Sequence, residues 1–293
     1  LHYVYNAPRD KIIWDTGHQA YAHKVLTGRF SSLETIRKYK GLSGFLKRSE
    51  SEYDVFGAGH ASTSISAGLG IASSRDLNNE NFKVVSIIGD GALTGGLAYE
   101  ALNNAGNARK QLLVILNDNQ MSISPNVGAM RNYLMKISTN KYYNYIREKI
   151  GNLPDIAYGK TLLRRIESSA KNFLLPRTVF EDLGFRYFGP VDGHDVNLLV
   201  NTLERIKDLS GPVVLHAVTK KGKGIDYAEQ DPIKYHGVKA KKIGEDKTPL
   251  QTVPIFQNVF GSLCCSLANE NEKIVCITAA MREGTGLVKF SKE

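Results

Sequence analysis

Two apolar runs rich in β-branched residues, Val84–Ile88 and Leu112–Leu116, constrain this chain more than anything else in it. The first ends in Gly89-Asp90-Gly91-Ala92 and the second in Asn117-Asp118-Asn119. A helical stretch near 93–109 lies between them, so the two strands can be parallel neighbours. Asp90 and Asn119 are then placed at strand C-termini, on the edge where open α/β sheets bind their ligands. Hard oxygen ligands suit Mg²⁺, which keeps few protein ligands and completes its shell with phosphate oxygens. The first physical reading is a Mg²⁺-diphosphate site. The plainer alternative is a strand-end aspartate that caps the next helix, and Gly-Asp-Gly by itself does not decide between them.

The same alternation continues on both sides. Lys11–Asp15 reads as a short buried strand running into the loop Thr16–Tyr21, and Gly41–Gly44 as a Gly-punctuated loop. Tyr53–Phe56 reads as a further short strand before Gly57-Ala58-Gly59-His60-Ala61. Residues 62–77 read as a helix of small side chains able to approach a sheet closely. Phe185–Phe188 and Val213–Val218 return to strand character, with a helix near 195–209 between them. The fold class expected is α/β, a doubly wound parallel sheet with flanking helices. Residues 126–180 lack strand signals and read as a helical insertion of the kind that covers a site.

The organisation expected is one domain over 1–231, a Lys-, Pro- and Gly-rich linker over 232–251, and the start of a second α/β domain over 252–293. Thr252 can cap a helix with Pro254 in its first turn. Phe256, Val259, Phe260, Leu263 and Leu267 follow helical spacing, and Lys273–Thr278 reads as a strand.

The net charge of +9 suits phosphorylated metabolites as well as nucleic acid. No Lys/Arg block with interleaved aromatics is present, so no nucleic-acid partner is expected. Cys264, Cys265 and Cys276 lack metal spacing and sit in apolar runs, which favours buried, reduced thiols. No apolar run is long enough to span a membrane and no signal peptide opens the chain, so a membrane partner is not expected. The chain does not begin with Met, and a fragment is expected.

Gly89-Asp90-Gly91, followed after roughly thirty residues by Asn119, has the spacing of thiamine-diphosphate enzymes. Longer strings sharpen this: Trp14–Lys24, Ser51–Gly68, Ile115–Ser124, Gly189–Asp195 and Asp231–His236. With them the chain resembles the 1-deoxy-D-xylulose-5-phosphate synthases, transketolase-like thiamine-diphosphate enzymes, over nearly its whole length.

The resemblance implies that residues 1–231 are the diphosphate-binding domain and that 252–293 begin a truncated pyrimidine-binding domain. It implies thiamine diphosphate and Mg²⁺ as cofactors, with pyruvate and D-glyceraldehyde 3-phosphate as substrates. The reaction it implies is their condensation with loss of CO₂, feeding isoprenoid, thiamine and pyridoxal synthesis. A homodimer, in a bacterial cytoplasm or a plastid stroma, goes with it.

By position, Asp90, Asn119 and the Met121 carbonyl would hold Mg²⁺. His18, Gly59, His60, Ala61, Gly91, Ala92 and Ile225 would line the cofactor, with Gly91 and Ala92 giving N–H donors at a helix start. His18 and His236 would be catalytic, His236 facing the triose phosphate. Ile225 stands where the family usually has Tyr; apolar contact is retained and a phenol hydrogen bond is not, and whether Tyr227 compensates stays open. His2 and His23 read as surface or helix-packing residues, and His194 can orient a turn. Lys221 and Lys223 either steer phosphate or are simply solvated.

The family's activating glutamate and phosphate-gripping arginines would lie beyond Glu293, so the chain is expected to be inactive alone. The other readings are the N-terminal subunit of a split transketolase and a non-catalytic Mg²⁺-diphosphate module.

Overall fold

The structure is a computed structural model, and it describes residues 1–57, 59, 62–119, 121, 128–139, 178–235, 253–278 and 281–293. Most of the predicted insertion and linker, and His60, Ala61, His236 and Thr252, lie outside the described residues. The described chain divides into two compact units, one of residues 1–120 and 127–219 and one of 121–126 and 220–293.

The first unit holds the sheet: β1 (Lys11–Trp14), β2 (Val84–Gly89), β3 (Leu112–Asp118), β4 (Arg186–Asp192) and β5 (Pro212–Val218). All pairings are parallel and the order is β1-β2-β3-β5-β4. Every residue of β2 is buried, as expected for a parallel strand covered on both faces. The longer helices described in this unit are α1 (Ser64–Leu77), α2 (Gly96–Ala108), α3 (Ala129–Thr139) and α4 (Val196–Ile206).

Two cores flank the sheet. Ile13, Ile88, Val114 and Val214 pack on one face with Ile65 and Leu69 of α1 and Leu102 of α2. Ile12, Ile87, Leu113 and Leu215 pack on the other with Leu203 and Ile206 of α4. Neighbouring strand residues therefore serve opposite cores, and the sheet is doubly wound as predicted.

The small residues of α1 act as expected. A Cβ at Gly68 would run into Ser86 Oγ, and that hydroxyl donates to the Ser64 carbonyl at 2.9 Å, so the helix sits hard against β2. α4 opens on a cap: Asp195 accepts from the Leu198 N–H at 2.9 Å.

Three local expectations change. Tyr53–Phe56 forms no strand, because Asp54 is drawn into a buried ion network and side chains fix the segment in place of a ladder. Lys273–Thr278 begins in a turn and joins no sheet among the described residues, and Ile277 is 95% exposed. In the second unit α5 (Phe256–Glu270) starts with Ile255 extended at its N-cap, so Pro254 precedes the helix instead of standing in its first turn. That helix buries Gly261, Cys264 and Cys265. A Cβ at Gly261 would meet the Gly286 carbonyl, so the 281–293 segment packs on the small-residue side and the Phe256, Val259, Phe260 and Leu263 stripe is exposed.

Candidate functional site

The parallel register carries four chain segments to one edge of the sheet. Gly89 pairs with Asn117, so Asp90 and Asn119 each follow directly on this edge. The Asp90 N–H donates to the Asn117 carbonyl at 3.2 Å, and the Asp90 carboxylate accepts from the backbone N–H of Asn119 and of Gly91. The two predicted metal ligands are therefore tied directly to each other. Beyond β1, Thr16 makes an isolated parallel bridge with Gly59, which brings Gly59 to the same edge. His18 falls in the 3-10 turn Gly17–Ala20 that follows β1.

Asp90 is 4% exposed. Burial, and next the negative charge of Asp118, push its carboxyl up to about 7, against the backbone N–H groups that favour its ionised form. A divalent cation would relieve both causes. Among the described residues no three His, Cys, Asp or Glu side chains converge as a metal cluster. One carboxylate and one amide oxygen on a strand edge are hard donors that suit Mg²⁺, whose shell is completed by water and phosphate oxygens. The residues present fit a Mg²⁺-diphosphate group. Met121 belongs to the second unit.

The anion donors differ from expectation in one respect. Gly91 precedes a single 3-10 turn, Ala92–Thr94, and α2 begins only at Gly96. Any diphosphate here would meet the local N–H groups of that turn rather than the end of a long helix. The turn is pinned by the Thr94 hydroxyl to the Gly91 carbonyl and by the Ser62 hydroxyl to the Ala92 carbonyl, each at 2.7 Å.

Sequence reasoning missed two buried networks beside this edge. Asp15 is buried and accepts from the Ser64 N–H at 3.0 Å, so the strand-end carboxylate caps α1. His23 is buried too, the packing alternative of its two readings, with its ring tilted against Trp14 and 3.4 Å from Asp54. Arg29 forks onto both Asp54 oxygens at 2.8 Å and reaches Glu50 at 3.0 Å, while Lys24 pairs with Glu50. Asp54 and Glu50 also accept the Lys47 and Ser43 N–H groups, so the cluster fixes the loop that leads to Gly57–Ala61. Burial would raise the Asp54 carboxyl, but His23 and Arg29 hold it well below the usual range.

In the second unit, Glu229 pairs with Lys220, lies 4.0 Å from Lys223 and accepts the Gly224 N–H at 2.9 Å. The basic loop is thus partly neutralised by a carboxylate that spacing did not single out. Ile225 occupies the N-cap of the Asp226–Gln230 turn, half-exposed, and Tyr227 rests on Tyr235 with ring centroids 4.8 Å apart. The Asp192 carboxylate accepts the His194 N–H at 2.8 Å, so the turn before α4 is ordered by Asp192.

The family profile described as 1-deoxy-D-xylulose-5-phosphate synthase matches residues 1–219. Curated proteins of that name align with the whole chain. The one from Caldanaerobacter subterraneus is 51% identical over 297 positions, and the one from Aliivibrio fischeri 53% over 299. The chain spans about half the length of these relatives, 48% and 47%. Among solved structures, the transketolase from Campylobacter jejuni is similar over 74% of this chain and 31% of its own, with a TM-score of 0.50 at 18% identity, a likeness of fold. Parallel sheet, family profile and full-chain likeness agree: the chain belongs to the 1-deoxy-D-xylulose-5-phosphate synthase family.

Proposed function

We propose that this chain supplies the diphosphate-binding half of an enzyme that condenses pyruvate with D-glyceraldehyde 3-phosphate to 1-deoxy-D-xylulose 5-phosphate and CO₂. Thiamine diphosphate, when bound, supplies the carbon nucleophile for that chemistry. Asp90, Asn119 and the Met121 carbonyl would hold Mg²⁺, which would supply positive charge for the diphosphate. The Gly91 and Ala92 N–H groups and the Gly59 backbone receive the cofactor. His18, His60, Ala61 and Ile225 line it, and His236 serves the triose-phosphate end by hydrogen bonding and proton transfer. The working enzyme is a homodimer, and the activating glutamate comes from outside this chain, so the chain alone does not turn over.

One observation carries this reading: the buried Asp90 carboxylate is bonded to the Asn119 N–H at the ends of two adjacent parallel strands. Calorimetric titration with thiamine diphosphate tests it. Binding is expected with Mg²⁺ present, lost on removal of Mg²⁺ and lost in Asp90→Ala. Equal affinity for Asp90→Ala and the parent chain would overturn the metal assignment. A chimera with residues 1–293 in place of the matching half of the Caldanaerobacter relative is expected to form the sugar phosphate.

A further inference from the structure

Behind the Asp90–Asn119 pair lies a polar chain that the proposed chemistry does not use. Asp118 Oδ2 is 2.9 Å from His216 Nε2, and His216 Nδ1 is 2.7 Å from the Tyr187 hydroxyl. All three are sealed: Asp118 is 1% exposed, His216 0% and Tyr187 2%. The register explains how they meet. Tyr187 pairs with Val214, and Asp118 with Val218, so Tyr187, His216 and Asp118 climb one face of the sheet from β4 across β5 to β3. Asp90, one strand further, completes the row beside Asp118.

The approach is built in. Gly189 adopts φ +124°, and a Cβ there would collide with the His216 backbone carbonyl. The Tyr187 ring is held in turn by stacking on Phe180, 5.7 Å between centroids and 6° from parallel. With Nε2 donating to Asp118, Nδ1 is left to accept from the Tyr187 hydroxyl. Apolar side chains would fill this space at no polar desolvation cost, so a sealed polar chain needs a reason beyond packing.

We infer that Asp118, oriented by His216 and Tyr187, is the positioning residue of the metal site: it fixes the backbone of Asn119 and sets a second negative charge beside Asp90, so that a divalent cation is drawn into the pair. This rests on the Mg²⁺-diphosphate reading of the same edge. Partners one layer behind metal ligands commonly change metal affinity by about 10–100-fold.

Mn²⁺ in place of Mg²⁺, titrated with thiamine diphosphate and followed by the loss of the free-ion electron paramagnetic resonance signal, tests it. Melting without metal is recorded in parallel on the whole chain. His216→Phe is expected to weaken Mn²⁺ binding by about 10–100-fold. His216→Gln, which returns an N–H near the Nε2 position, is expected to recover most of that loss. Tyr187→Phe keeps the stacked ring and is expected to weaken Mn²⁺ by a few-fold with little change in melting. Full Mn²⁺ affinity in a folded His216→Phe overturns the inference. So does a loss that follows melting temperature alone and that Gln does not recover. Failure of the parent chain itself to bind, or equal binding by Asp90→Ala, sinks the site reading and this inference with it.

Discussion

Asp90→Asn is expected to make the metal-free chain more stable while destroying its response to Mg²⁺. The carboxyl is raised from the ordinary 3.8 to about 7 by burial and by Asp118. The folded chain therefore holds this proton more tightly than the unfolded chain, and stability contributed at Asp90 falls as pH rises from about 4 to about 7 and then levels off. The gap in pKa corresponds to about 4 kcal/mol at pH 8, at 1.36 kcal/mol per unit. The amide must still find partners for its NH₂, so a gain of about 2–4 kcal/mol is expected, roughly 5–10 °C in melting temperature. Thermal unfolding followed by circular dichroism at pH 8 and pH 5, with and without Mg²⁺ and thiamine diphosphate, reads all of this. The gain should shrink at pH 5, where the parent's folded carboxyl keeps its proton. Saturating ligand should stabilise only the parent, by about 2.7 kcal/mol at a hundred times Kd. A variant less stable than the parent at pH 8 without metal, or a gain independent of pH, would refute the reasoning.

The ion network predicts the opposite sign. Arg29→Ala leaves Asp54 buried without its fork and should cost about 3–5 kcal/mol in chemical denaturation. Because the Asp54 carboxyl is held low in the folded chain, its contribution is present above the ordinary carboxylate range and is lost as pH falls below it. On acid titration the parent should therefore lose stability more steeply than Asp54→Asn, and parallel acid curves would count against the network. Asp15→Ala strands the Ser64 N–H at the start of α1 and should cost about 1–3 kcal/mol, seen as earlier denaturant unfolding. Gly68→Val would force α1 off Ser86 and should lower the melting temperature far more than Gly70→Val, where a Cβ meets nothing within 4 Å.

Much of the candidate site was legible because Asp90 and Asn119 sit in sequence beside the strands that place them. Val84–Ile88 before Asp90, and Leu112–Leu116 before Asn119, reveal both the strands and the edge on which they end. Local patterns failed where side chains outcompeted the backbone. Tyr53–Phe56 has strand composition, yet the charge on Asp54 is held by Arg29, so the segment follows the ion network. Lys273–Thr278 has strand composition too, but a strand is a pairing, and composition does not name the partner.

The sequence by itself determined the alternation of strand and helix, the family, and the place of Asp90 and Asn119 at the ends of neighbouring strands. Only the tertiary structure decided which residues stand behind them. Tyr187, His216 and Asp118 are far apart in the chain and carry no shared motif spacing. They meet because β5 inserts between β3 and β4, and because parallel register steps each strand by two residues along one face. Strand order is a long-range choice made by the packing of the two cores, and no local pattern encodes it.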